Sequence, residues 1–258
     1  MARQPAPRAV FITGASSGIG AALARHYARQ GATVGLVARR REALEALASE
    51  CGNALVLPAD VRDGDAMTAA ARKFIAQAGV PDLVIANAGV SVGMVTSGKP
   101  EDISVFREVM DINVLGAVHT FQPFVAAMRD RGNGTLVGIA SVAGFRGLPG
   151  SGAYSASKAA LISYLESFRV ELHGSGVQVT TICPGYIATP MTAHNPYAMP
   201  FILEADEFVV RMVRAVAAGK RFAVIPWPMA IVGSVLRVLP DWIYDRLFAN
   251  APRKPGRG

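Results

Sequence analysis

Tyr154-Ser155-Ala156-Ser157-Lys158 holds the residues with the most direct chemistry in this 258-residue chain. A Tyr and a Lys four positions apart on a helix share one face, one turn apart. A tyrosine phenol titrates near about 10, too high to exchange protons unaided at neutral pH. A neighbouring positive charge stabilises the phenolate and moves that value toward the working pH. Tyr154 is therefore expected to act as a general acid and base on an oxygen atom, with Lys158 behind it. Ser141, thirteen residues earlier, supplies a hydroxyl to bind that same oxygen and stabilise charge developing on it.

A second constellation lies near the start. Thr13-Gly14-Ala15-Ser16-Ser17-Gly18-Ile19-Gly20 follows the β-rich run Ala9–Gly14 and opens a helical period through Ile19, Leu23 and Tyr27. Glycines let the backbone turn tightly and approach a pyrophosphate, while a helix N-terminus offers free N–H groups and a favourable dipole. A Walker-type loop is excluded, because no Lys-Ser/Thr follows the last glycine. The next strand ends Val37-Ala38-Arg39-Arg40. In dinucleotide folds an acidic residue here holds the adenosine ribose and repels a 2′-phosphate. Here Ala38 precedes Arg39, whose guanidinium suits a phosphate, and Ser16 and Ser17 add hydroxyl donors. Cations at a helix start are unfavourable without an anion, which also argues for a phosphate. The cofactor read from these residues is NADP(H) in preference to NAD(H).

The Gly-x-x-x-Gly-x-Gly spacing resembles the short-chain dehydrogenase/reductase family, and the resemblance continues in order from about residue 8 to about residue 226. Asp60-Val61 matches the family's acidic contact to adenine. Asn87-Ala88-Gly89 matches its Asn-Ala-Gly turn beside the cofactor, and Asn113 its helix Asn. Ser141, Tyr154 and Lys158 match its catalytic residues, and Pro184, Gly185, Ile187 and Thr189 the segment flanking the nicotinamide. The resemblance implies hydride transfer between a nicotinamide and a carbonyl or secondary alcohol. It further implies that Lys158 holds the nicotinamide ribose and that Asn113 anchors a water relaying protons to solvent. The cofactor-binding set is thus Gly14, Ser16, Ser17, Gly18, Ile19, Gly20, Arg39, Asp60, Val61, Asn87, Ala88, Gly89, Tyr154, Lys158 and the four residues after the sixth strand.

These residues need a scaffold, and the hydropathy pattern supplies one. Short apolar runs at Ala9–Gly14, Thr33–Ala38, Ala54–Ala59, Asp82–Ala86, Gly134–Ala140, Val177–Cys183 and Phe222–Ile225 alternate with amphipathic stretches. Near-continuous Val/Ile/Leu content marks strands covered on both faces. The fold class is α/β, a single Rossmann-like doubly wound parallel sheet of about seven strands with helices on both faces. The division expected is a basic tail at 1–8, a dinucleotide-binding and catalytic domain at 9–226, and an apolar extension with a basic tail at 227–258. Helical stripes run through Val114, Val118, Phe121, Val125 and Met128, with Pro123 interrupting, and through Leu161, Leu165, Phe168 and Leu172. By the resemblance these two helices pair two subunits, so a homodimer or homotetramer is expected.

Composition removes other classes. The chain is 51% hydrophobic and 17% charged, which excludes a largely disordered protein. Two Cys, Cys51 and Cys183, make no disulfide framework, and with His26, His119, His173 and His194 they show no zinc spacing. The excess of 26 Lys+Arg over 19 Asp+Glu gathers partly in the ends, so nucleic acid is not an expected partner. No apolar h-region marks a signal peptide, and the expected location is cytoplasmic.

The loop 186–203, rich in Met and aromatics, reads as a lid over an apolar substrate, with Arg146 a surface charge. The run Met229–Leu239 is too short to span a bilayer; it is expected to pack on the substrate loop or a second subunit, with peripheral membrane contact through Trp227, Trp242 and flanking Arg residues the less favoured alternative. Asp241 would cap the run after it. The competing function is a non-catalytic dinucleotide sensor or scaffold, against which the intact Asn113, Ser141, Tyr154 and Lys158 argue. A sugar-nucleotide epimerase would need a shorter glycine turn.

Overall fold

The computed structural model describes residues 6–93, 100–193 and 195–252. Most of the N-terminal tail, His194 and the basic end from residue 253 therefore lie outside the described residues. The chain begins β1 (Ala9–Thr13), α1 (Gly18–Arg29), β2 (Thr33–Ala38), α2 (Arg41–Cys51), β3 (Ala54–Pro58) and α3 (Gly64–Ala78). It continues through β4 (Leu83–Ala86), α4 (Pro100–Met110), a π-helical turn at Asp111–Leu115, α5 (Gly116–Arg131) and β5 (Gly134–Ile139). Then come α6 (Gly152–Glu171), β6 (Val177–Pro184), β7 (Ile187–Ala188), β8 (Leu203–Glu204), α7 (Ala205–Ala217) and β9 (Phe222–Ile225). Two helices, α8 (Pro228–Val238) and α9 (Asp241–Phe248), follow the last strand.

Seven strands form one all-parallel sheet in the order β3-β2-β1-β4-β5-β6-β9, and β7 pairs β8 alone. This is the Rossmann-like fold expected. The order reverses between β1 and β4, which opens a crevice at the C-terminal ends of those strands. Alternation of side chains across the sheet builds two cores from one run. In β1, Ala9 and Phe11 join the layer under α3, α5 and α6, while Val10 and Ile12 join the layer under α1 and α7. Phe11 meets the ring edges of Phe74 and Phe124 at 5.5 and 4.8 Å. The central strands β1, β4 and β5 are buried throughout, whereas the edge strands β3 and β9 are partly open.

Strand boundaries differ from expectation by one residue. Gly14 has left β1 at φ 67°, and Asp82 turns its carboxylate to the backbone N–H groups of Arg8 and Ala9 instead of continuing β4. Other differences are larger. The buried stripe of α5 is Ala117, Phe121, Phe124 and Met128, and Val114, Val118 and Val125 are only half-buried. Helix α5 runs through Pro123, and the irregular turn lies before it, at Asp111–Leu115.

Arg146 is not a free surface charge. Its side chain is 19% exposed, and its guanidinium lies 4.4 Å above the Tyr244 ring. It donates to the carbonyls of Leu236 and Leu239 at 3.1 and 2.9 Å. Those carbonyls end α8, where no later helical N–H reaches them, and a guanidinium fork satisfies several at once. The same fork holds Asp241 at 2.6 Å. Asp241 consequently caps nothing, and Pro240 stands at the N-cap of α9.

Candidate functional site

The glycine turn forms one end of a cavity of about 370 Å³ along the crevice. A Cβ on Gly14 would lie 2.8 Å from Ala88 Cα, and one on Gly20 would lie 2.2 Å from Gly14 O. Both contacts are below any real Cβ separation, so these positions admit no side chain. Asn87 fastens the facing turn, its Nδ2 donating to Thr13 O at 3.0 Å and to Gly14 O at 3.3 Å. Helix α1 begins here with no side chain bonded at its N-cap Ser17 and no acidic residue in its first turn. Its free N–H groups are therefore available to an anion in the cavity.

Gly14, Ser16, Ser17, Gly18 and Ile19 all line this end, with Ala38, Arg39 and Arg40 beyond them. Arg39 and Arg40 are exposed, and Arg40 Nη2 donates to Ser16 Oγ at 3.4 Å. Arg40 was not among the sequence candidates, because its neighbour Arg39 satisfied the argument and adjacent positions cannot be ranked without the fold. Asp60 and Val61 line the cavity's flank. Asp60 is the one carboxylate among the described lining residues, and the Arg62 guanidinium grips it at 2.6 to 3.1 Å, holding it below the usual carboxylate range.

Asn87, Ala88 and Gly89 form the middle, and Pro184, Gly185, Ile187 and Thr189 the wall after β6. Thr189 closes on the glycine turn, its methyl 3.2 Å from where a Gly18 Cβ would stand. Gly20 and Asn113 do not line the cavity. Gly20 serves packing, and Asn113, 1% exposed, lies behind it.

Asn113 is turned inward by the π-helical turn and joins three elements. Its Oδ1 accepts from Val90 N at 2.8 Å, and its Nδ2 donates to Val90 O and to Ser157 Oγ at 3.0 and 2.9 Å. Ser157 Oγ in turn donates to Tyr154 O at 2.7 Å. Ser157, unremarked within the Tyr-x-x-x-Lys segment, thus couples Asn113 to the Tyr154 backbone. Only the fold, which sets Asn113 against α6, could reveal this.

Ser141 ends β5 and caps a short 3₁₀ turn, its Oγ accepting from Ala143 N at 3.1 Å. Tyr154 and Lys158 enter the cavity from α6. Lys158 is 4% exposed, its Nζ donating to Ile139 O at 2.8 Å and lying 5.8 Å from the Tyr154 ring centre. Burial lowers its ammonium to about 8. Burial also raises the Tyr154 phenol above its ordinary value, and the hydrogen bond with Ser141 opposes that rise. Burial thus sets the direction in the protein alone, and the lowering expected from Lys158 and a positive nicotinamide together belongs to the cofactor-bound state. Desolvation disfavours charge on both groups and drives their titrations apart, the phenol upward and the ammonium downward. Cys183 lies under this pair, fully buried, its thiol pushed up to about 12 by burial.

The residues fit a dinucleotide. A cradle that a Cβ would fill, a helix N-terminus without a side-chain cap and two arginines lie at one end of a crevice, and a Ser, a Tyr and a Lys lie at the other. The short chain dehydrogenase family model matches residues 8–198. An uncharacterized oxidoreductase of Myxococcus xanthus is 41% identical over 242 residues, covering 92% of this chain and 95% of its own. A Burkholderia cenocepacia short chain dehydrogenase solved with NADP superposes at TM-score 0.80 with 24% identity, covering 95% of this chain and 98% of its own. A Burkholderia phymatum relative solved with NAD reaches 0.81 with 22% identity, covering 97% and 98%. At those identities the two structures establish the fold, and the first two matches establish that this chain belongs to the short chain dehydrogenase family of oxidoreductases.

Proposed function

We propose that this protein is an NADP(H)-dependent oxidoreductase acting on an apolar carbonyl or secondary alcohol, with Tyr154 as general acid and base. The observation that carries the reading is the cavity itself, with Ser141, Tyr154 and Lys158 at one end and Ser16, Arg39 and Arg40 at the other. When bound, the nicotinamide supplies or accepts the hydride. Gly14, Ser16, Ser17, Gly18 and Ile19 would hold the pyrophosphate side, and Arg39 and Arg40 a 2′-phosphate. Asp60, Val61, Asn87, Ala88 and Gly89 would hold the adenosine and ribose side, with Pro184, Gly185, Ile187 and Thr189 against the nicotinamide. Gly20 supports this set by allowing the turn to close.

Tyr154 O–H donates its proton to the substrate oxygen as that oxygen gains negative charge, and Ser141 donates a hydrogen bond to the same atom. A neutral phenol is the form this step needs, and burial keeps Tyr154 in it. Lys158 supplies the positive charge that steadies the phenolate left behind, and Asn113 positions Tyr154 through Ser157. The loop 186–203 exposes Met191, Phe201 and Ile202, 41%, 53% and 43%, and holds Phe201 at φ 58°. Such a surface supports an apolar substrate. Ile103 and Phe106 of α4 and Leu115 of the π turn, 66%, 40% and 49% exposed, support a second copy covering this side.

Titration with NADPH and NADH, followed by a panel of aromatic ketones, steroids and 3-oxoacyl thioesters, tests the reading. Tighter binding of NADPH and its oxidation by one class is expected. Tighter NADH binding would overturn the cofactor assignment. Binding of NADPH without turnover on any apolar carbonyl would favour the sensor reading.

A further inference from the structure

Helix α8 is apolar on two faces, and the protein covers only one. Inward, a Cβ on Gly233 would lie 2.3 Å from Phe145, and one on Gly185 would lie 2.7 Å from Met229. Outward, Trp227 at the N-cap and Ile231, Val235 and Val238 recur at helical spacing and are 68%, 57%, 53% and 80% exposed. Trp242 and Leu247 of α9 follow at 72% and 65%. Isolated exposed apolar residues are ordinary, but large ones repeated along two consecutive helices mark a contact surface. The Arg146 guanidinium fixes the two helices to the domain at Leu236, Leu239 and Asp241.

Charge identifies the occupant. From Trp227 onward the described residues carry Arg237 and Arg246 against Asp241 and Asp245, and the sequence beyond them adds Arg253, Lys254 and Arg257. Arg237 and Arg246 are exposed, and Asp241 is already paired with Arg146. A two-fold contact between copies would set this positive stretch against itself. A surface of Trp, aliphatic side chains and Arg instead matches the boundary of a bilayer bearing anionic headgroups, where aromatics seat at headgroup level and cations are attracted.

We propose that the α8–α9 surface docks this protein onto anionic membranes, with α8 lying in the plane of the interface. At 11 residues α8 falls well short of the roughly 20 needed to cross, and no helix among the described residues is long and apolar enough to do so. Met229 of α8 packs on Gly185, which lines the cavity, so docking would place α8 between that wall and the lipid.

The experiment is co-sedimentation of the full chain with phosphatidylcholine vesicles, with and without phosphatidylglycerol, read together with tryptophan emission. Both of the chain's 2 Trp lie on this surface, so the emission reports on it alone. Binding roughly tenfold or more tighter to the phosphatidylglycerol vesicles, weakened by salt and accompanied by a blue shift, is expected. Ile231→Glu with Val238→Glu should remove the binding and the shift while leaving the melting temperature unchanged. The proposal fails if the protein ignores phosphatidylglycerol vesicles, or if the double variant binds them as well as the parent. It also fails if the emission shifts only with protein concentration, which would assign the surface to a second copy.

Discussion

The two ends of the cavity are built by opposite means. The nucleotide end is made of backbone, with glycines that admit no Cβ, a helix terminus and an Asn bonded to carbonyl oxygens, and its charged residues Arg39 and Arg40 stand in solvent. The other end is made of buried side chains, Lys158 at 4% and Asn113 at 1% exposure, each hydrogen-bonded to a neighbouring strand or turn. On the proposed reading, selection between cofactors would rest on exposed groups that are replaceable at little structural cost. The proposed proton chemistry would rest on groups whose environment is part of the core.

The largest effect expected is at the buried end. Tyr154→Phe keeps the ring and removes the proton, so turnover should fall by about 10²- to 10⁴-fold with NADPH affinity near that of the parent. Steady-state rates beside a binding titration decide it, and retained turnover would remove Tyr154 from the chemistry. The exposed end should respond differently. Arg39→Asp loses a charge-assisted bond to phosphate, worth about 1.5–3 kcal/mol, so NADPH should weaken by about 10- to 100-fold. NADH should not weaken and the melting temperature should hold. An unchanged NADPH:NADH ratio would overturn the assignment of cofactor selection to Arg39.

The smallest effect is on pH. Lys158 is charged below about 8 in the folded protein and neutral above it. If its charge steadies the phenolate, reduction should slow as pH rises through about 8, by severalfold over one unit. The same lowered value means that Lys158 binds more protons in the unfolded chain between about 8 and 10.5, a contribution that raises stability with pH and that the Cys183 thiol, held protonated up to about 12, opposes above about 9. Melting curves of the parent and of Lys158→Met that run parallel from pH 7 to 9 would show that burial does not perturb Lys158.

Much of the nucleotide end was legible because its logic is local. A Gly-rich strand-to-helix turn and an Ala-Arg pair ending the next strand declare themselves by spacing, and Arg40 was missed only because two adjacent arginines look alike in a chain. The buried end was legible in identity and not in behaviour. Tyr154 and Lys158 are four apart on any helix, but their titrations depend on how much water reaches them. That is decided by burial among segments distant in sequence, Ile139 and Cys183 among them. Arg146 and Asp241 were both misjudged for the same reason, since each is the other's partner across 95 residues.

By itself the sequence determined the strand runs, the alternation that makes the sheet parallel and the positions of the glycine turn and the Tyr-Lys helix. These follow from side-chain periodicity and backbone sterics within a few residues. Only the tertiary structure decided which way the buried charges shift, which arginine satisfies the end of α8 and which face of that helix is left bare. Each of those depends on desolvation and on contacts between segments far apart in the chain, and local pattern carries no record of them.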